Sequence, residues 1–201
     1  MRFFDSHAHY NDEKFNEDKD EVITQAHKDG ITGIVCAGYS IESSKKAIEI
    51  AEKYDFIYAT VGISPNDITE GGRQKAEGRE MEVISKLARN NKVVAIGEIG
   101  LDYYWNKENK GLQKDVFIKQ IELANELDLP IVIHTREAVQ DTIHILQTNN
   151  VKNKGVFHCC PLNRELVKEG IKLGFYISFA GPVTFKNSKN ADEIIRNGSN
   201  G

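Results

Sequence analysis

Disulfides are the first thing this chain lacks. Its cysteines are Cys36, Cys159 and Cys160, too few and too unevenly spaced for a covalent framework. It also shows no signal peptide and no apolar stretch long enough to span a bilayer, which predicts a reduced, cytoplasmic setting and no membrane partner. Basic charge is not in surplus either. With 26 Lys and Arg against 30 Asp and Glu, the formal charge is −4 and the pI about 5.9. The chain thus offers no global basic field for non-specific coating of DNA, and any nucleic-acid contact has to rest on a local patch or on bound cations. No Pro/Gly/Ser-rich stretch or compositional shift marks a linker. The 201 residues suffice for one large core, so a single domain spanning 1–201 is expected, with no obligate protein partner evident.

What the chain does have is a recurring pattern, a short apolar run that ends in a titratable residue. His7 and His9 stand in FFDSHAH, His134 in IVIHTR, His158 in GVFHCC, and Glu98 in VVAIGEIGLD. Apolar runs bounded by turn residues suit strands buried on both faces, as in a parallel sheet. Such runs fall near residues 2–9, 31–37, 56–63, 93–99, 131–135, 154–159 and 174–180, with helical patterns between them. The segment 42–54 places Ala47, Ile48, Ala51 and Tyr54 on one face, and 112–127 does the same with Phe117, Ile121 and Ala124. Gly30 and Gly174 follow helical patterns and precede strands, where a left-handed residue ends a helix. This βα alternation leaves an open doubly wound sheet or a closed (β/α)8 barrel. Chemistry-bearing residues on the first, fourth, fifth and sixth strands favour the barrel, whose closure brings distant strands to one rim. After the seventh run come a short helical pattern at Ala191–Arg196 and a polar stretch from Asn197 to Gly201, with no eighth apolar run. The expected fold is therefore an α/β barrel of the TIM type, truncated after the seventh strand and lacking the last βα unit.

Polar groups at the carboxyl ends of parallel strands share a face where ligands and metals bind. His7 and His9, two apart on a strand, point the same way together with Asp5. Imidazoles so placed can converge on one cation at about 2.0–2.1 Å from each nitrogen. Glu98 follows Val93, Val94, Ala95 and Ile96, between Gly97 and Gly100. A lone buried carboxylate is costly, so it needs either a cationic side chain or metal ions, two of which it could bridge. His134 could equally be a core histidine donating to a carbonyl. His158 opens His158-Cys159-Cys160-Pro161, which raises a thiol nucleophile as a possibility. Adjacent cysteines cannot both face the rim, and both read more simply as small buried fillers. His27 and His144 read as ordinary helix residues. Arg136 projects from beyond His134 onto the same rim, where its planar fork suits a phosphate or carboxylate unless a plain salt bridge takes it. Asp102, Tyr103 and Tyr104 could support the metal ligands or form a stacking platform, with packing the default for the tyrosines.

The segments DSHAHYN, GEIGLDYYW, IVIHTREA, the His158 strand and FYISFAGPVTFKN, in this order, resemble the TatD family of metal-dependent deoxyribonucleases, within the amidohydrolase-like superfamily. The match spans nearly the whole chain, and GEIGLDYY together with GPVTFKN makes it specific. The resemblance implies a barrel holding two divalent cations at its strand ends, for which magnesium, manganese or zinc would each serve. His7 and His9 would hold one cation, His134 and His158 the other, and Glu98 would bridge them as the catalytic carboxylate. The implied reaction is hydrolysis of phosphodiester bonds in DNA, the implied partner, by hydroxide generated on the metals. The family usually carries a histidine-proline pair after the third strand, at a site that touches substrate, where this chain reads Gly62-Ile63-Ser64-Pro65. Ser64 and Arg136 are thus the expected substrate contacts. The family also has an eighth strand whose aspartate binds the first metal, and that strand is not in this sequence.

Two other readings compete. One is an amidohydrolase-like hydrolase of a small amide or lactone, which a carboxylated lysine bridging the metals would favour; no lysine ends a strand where Glu98 stands. The other is a truncated, catalytically impaired barrel whose role is binding.

Overall fold

A computed structural model describes residues 2–68, 79–188 and 190–198 of the chain. Strands and helices alternate through them as β1 (Phe3–Ala8), α1 (Lys19–Lys28), β2 (Ile31–Ala37), α2 (Ile41–Lys53), β3 (Ile57–Val61), α3 (Arg79–Leu87), β4 (Val93–Asp102), α4 (Lys110–Leu127), β5 (Ile131–Arg136), α5 (Val139–Thr148), β6 (Val156–Phe157), α6 (Arg164–Lys172), β7 (Tyr176–Ile177) and α7 (Ala191–Gly198). The seven strands form one sheet in chain order, and each neighbouring pair is parallel. Each of the helices α1 to α6 is the crossover that a parallel pair requires.

The sheet cannot be flat. β1 and β6 are five spacings apart in strand order, which at about 4.8 Å per spacing is about 24 Å. Yet the ring of His7 on β1 stacks on that of His158, just past β6, with centroids 3.9 Å apart. The strands therefore curl into the wall of a TIM-type barrel, as the βα pattern predicts. Among the described residues the wall ends at β7 without an eighth strand, and the polar residues 199–201 lie outside them. Phe3 and Phe4 on β1 and Tyr176 on β7, at the two edges, are exposed.

Branched side chains from the strands fill the space between sheet and helices. Ile34, Ile57, Ile96, Ile131 and Ile133 are completely buried, as are Leu101 and, from α4, Phe117; each such side chain is worth about 1.5–3 kcal/mol over leaving it in water. Helix α2 starts where the Ser40 hydroxyl accepts the Ser43 amide at 3.2 Å, and it buries Ala47, Ile48 and Ala51 as its spacing predicts. On α4, Phe117, Ile121 and Ala124 face inward as expected, but so do two glutamines, Gln113 and Gln120, both fully buried. Gly30 and Gly174 adopt φ of 107° and 88°, the left-handed helix ends foreseen for them. Among the described residues no helix is long and apolar enough to cross a membrane.

Three expectations need correction. β4 runs on to Asp102, beyond the apolar run 93–99, because it keeps pairing with β5 through Gly100–His134, Leu101–Thr135 and Asp102–Arg136. β6 and β7 are two residues long, much shorter than 154–159 and 174–180. Their ladder stops because the chain turns away directly after Phe157. The third correction belongs to that turn: Cys160 is buried, but Cys159 is exposed at φ 42°, so only one of the two cysteines fills the core.

Candidate metal centre

β1, β4, β5 and β6 carry His7, Glu98, His134 and His158 to one end of the curled sheet, and His9 stands one residue past β1. All five groups meet. Glu98 Oε2 lies 3.4 Å from His7 Nε2 and 3.6 Å from His9 Nε2, while Oε1 lies 3.1 Å from His134 Nδ1 and 3.4 Å from His158 Nε2. The imidazoles also meet each other, His7 Nε2 to His9 Nε2 at 3.0 Å and His134 Nδ1 to His158 Nε2 at 3.2 Å. Asp5 stays out of the cluster, accepting the His7 amide at 3.1 Å. His27 and His144 lie on α1 and α5, away from it, as expected.

Among the described residues the buried carboxylate of Glu98 has no lysine or arginine partner; its company is four imidazoles. Burial alone would raise its pKa, but hydrogen bonds from His134, His158 and His7 outweigh this and hold it well below the usual carboxylate range. His7 and His9 are pushed down, burial being the leading cause, so both favour the neutral form that offers a lone pair. His134 goes the other way: burial depresses it, but Asp102 and Glu98 prevail and raise it to about 9.

Asp102 explains that difference. Its Oδ2 accepts from His134 Nε2 at 2.9 Å, which leaves Nδ1 turned toward Glu98. A histidine that gives one N–H to a carboxylate presents its other nitrogen, with ring orientation fixed, to a metal. Asp102 is itself held tightly. Gln113 on α4 clasps its backbone, Oε1 accepting its amide at 2.8 Å and Nε2 donating to its carbonyl at 3.0 Å. Asn66 Nδ2 donates to Oδ2 at 3.3 Å. Despite its burial penalty, the Asp102 carboxyl is thus lowered to about 2, with His134 the main stabilising partner. Gly100 makes the approach possible, since a Cβ there would stand 2.0 Å from the His134 carbonyl oxygen.

On the opposite side, the His9 ring is steadied by the Ala37 carbonyl, 3.2 Å from Nδ1. That carbonyl also accepts from buried Asn11 Nδ2 at 2.8 Å, and the same amide reaches the Ser43 hydroxyl at 2.9 Å. His7 Nδ1 is buried with no partner among the described residues.

The donor set fits divalent cations. Within each imidazole pair, at 3.0 and 3.2 Å, one neutral ring can donate its N–H to the other's lone pair, and a cation would take the place of that shared proton. Neutral nitrogens and a carboxylate are what zinc, manganese and similar ions take. His7, Glu98 and His158 offer atoms all within 4.8 Å of one another, and these three come from both of the expected pairs. Geometrically the cluster is one compact unit.

Neither expected substrate contact touches Glu98. Ser64 is buried and its hydroxyl donates to Asp67 at 2.9 Å, closing the turn from which Asn66 reaches Asp102. Arg136 ends β5, and no carboxylate among the described residues pairs with it; its guanidinium lies 3.9 Å from the centroid of the Tyr104 ring. Of the other tyrosines in question, Tyr103 is a packing residue, buried with its hydroxyl on Asp141 at 2.7 Å. Asn11, Asn66 and Gln113 were not singled out as contributors in the sequence. Only Gln113 carries a clear sign there, as a polar residue four before Phe117 on a helix face that is apolar but for it and Gln120.

The sequence matches the profile of the family described as TatD related DNase over residues 4–200. The chain belongs to the TatD family. Among TatD-like relatives, it is 42% identical over 194 residues to a protein of Bacillus subtilis (strain 168) named as the uncharacterized metal-dependent hydrolase YabD, covering 96% of this chain and 74% of that one. It is 31% identical over 179 residues to the 3′-5′ ssDNA/RNA exonuclease TatD of Escherichia fergusonii, covering 89% and 67%. The structure of YjjV, a TatD homologue from Escherichia coli K12, superposes with a TM-score of 0.86 at 26% identity, covering 96% of this chain and 74% of that chain. These likenesses place the chain among the TatD-family metal-dependent hydrolases.

Proposed function

We propose that the chain hydrolyses phosphodiester bonds in DNA with two divalent cations held around Glu98. The observation that carries this reading is the approach of four imidazoles, in two pairs, to the two oxygens of one buried carboxylate. His7 and His9 would hold one cation, His134 and His158 the other, and Glu98 would bridge them. Bound there, such ions would supply Lewis-acid polarisation of a phosphoryl oxygen and a nucleophile at neutral pH. The chain's own residues provide the rest. Asp102 fixes the His134 tautomer, Ala37 fixes that of His9, and burial lowers the pKa of His7 and His9, which favours the neutral form that offers a lone pair. Arg136, free of any carboxylate among the described residues, serves as the phosphate contact. Ser64, engaged with Asp67, acts on the site by shaping the turn that carries Asn66. A relative named as an exonuclease on single-stranded DNA and RNA supports the polymer substrate.

The test is cleavage of a single-stranded oligonucleotide with and without added magnesium, manganese or zinc. Hydrolysis should require the cation, disappear on chelation and vanish in Glu98→Ala. Cleavage that survives thorough chelation would refute the metal mechanism.

A further inference from the structure

Beside the cluster lies a feature that the reaction above does not use. Trp105 is 68% exposed and Tyr104 43%, although both directly follow the buried end of β4. Their rings meet edge to face at 4.8 Å, and the Arg136 guanidinium lies over both, 3.9 Å from the Tyr104 centroid and 5.5 Å from that of Trp105. Large aromatics left in water beside a cation that has no carboxylate partner among the described residues form a surface made for a flat, anionic ligand.

The placement of this surface is fixed by the residue that positions His134. Asp102 Oδ1 accepts the backbone amides of Tyr104 and Trp105 at 2.9 and 3.1 Å, while its Oδ2 accepts from His134. Asp102 also stands opposite Arg136 in the β4–β5 register, and the Tyr103 amide bonds the Arg136 carbonyl at 2.9 Å. One buried carboxylate thus ties the aromatic turn, the arginine and the candidate metal ligand together. Arg136 further lines an open cavity of about 530 Å³ together with His134 and His158, so the arginine under the aromatic pair also faces the cluster.

We propose that Trp105, Tyr104 and Arg136 form a subsite for one unpaired nucleotide of a single strand, its base stacked on Trp105 and its phosphate on Arg136. This rests on the proposed phosphodiesterase function. Aromatic side chains stack on any base, so the subsite tolerates sequence, but a base held in a duplex has no free face to offer. It therefore selects unpaired strands over duplex.

Trp105 is the single tryptophan of the chain, so its emission reports on this surface alone. The cation-loaded protein is titrated with a phosphorothioate oligothymidylate, which resists cleavage, and with an abasic strand of the same backbone. Anisotropy of a labelled copy reports binding anywhere on the chain, and emission with unlabelled copies reports stacking. The oligothymidylate should quench Trp105 at the midpoint seen by anisotropy, and the abasic strand should bind without quenching. Trp105→Ala should weaken oligothymidylate binding about tenfold, and Trp105→Phe should restore most of it. Binding by anisotropy with no quenching, equally tight in Trp105→Ala, would overturn the subsite while leaving the phosphodiesterase reading intact. Absence of both binding and cleavage of any strand would overturn the two together.

Discussion

The two pairs of imidazoles flanking Glu98 are held by different means. On the β1 side, His9 leans on the Ala37 carbonyl and His7 Nδ1 has no partner among the described residues, and burial lowers the pKa of both rings toward the neutral form. On the β5 side, His134 bonds a buried carboxylate that is itself clasped by Gln113 and Asn66, and its pKa rises to about 9. A carbonyl orients a ring and raises its basicity too little to offset burial, whereas a carboxylate both orients the ring and outweighs burial. His7 and His9 are therefore biased toward the neutral form that a cation takes, and His134 is more firmly held but biased toward a proton that a cation must displace.

The largest effect should come from the group the halves share. Glu98→Ala should remove detectable divalent-cation binding and hydrolysis, whereas Arg136→Ala should leave cation binding intact and raise KM for a nucleic-acid strand. Equal loss of cation binding in both variants would break the comparison at its centre. Next in size is the support behind one half. Asp102→Asn should weaken cation affinity about 10–100-fold. Asn11→Ala, which removes hydrogen bonds to the Ala37 carbonyl and Ser43, should cost affinity less and stability about 1–3 kcal/mol. Calorimetric titration of the two variants measures the contrast.

Smallest, and most specific, is the pH response without metal. His134 has a raised pKa, so its stabilising contribution is complete below its ordinary value of about 6.5 and is lost as pH rises to about 9. His7 and His9 have lowered values, so their side of the cluster loses stability in the other direction, as pH falls below about 6.5. In chelator, the melting temperature should drop by roughly 5 °C across the alkaline window. Asp102→Asn should flatten that alkaline arm and leave the acid arm in place. An alkaline arm unchanged in Asp102→Asn would show that Asp102 does not set the charge of His134.

The sequence exposes the parts of this site that lie at strand ends. His7, His9, Glu98, His134 and His158 stand out because a titratable group after an apolar run is unusual, and the βα order tells which rim they share. Asp102 is within reach of the same reasoning, since it closes the Glu98 segment. Asn66, Asn11 and Gln113 are not, because their roles are hydrogen bonds to groups far along the chain, from a turn, a loop and a helix. The short β6 and β7 and the exposed Cys159 escape for a related reason: apolar composition marks where a strand can run, and a turn at Cys159 decides where it stops.

The central claim is that one carboxylate serves two cations. Crystals of the protein soaked in manganese or zinc and measured at the metal's absorption edge would test it most directly. Two anomalous peaks should appear, each about 2.0–2.3 Å from one Glu98 oxygen, one beside His7 and His9 and the other beside His134 and His158. Peaks away from Glu98, or none at a saturating metal concentration, would contradict the account.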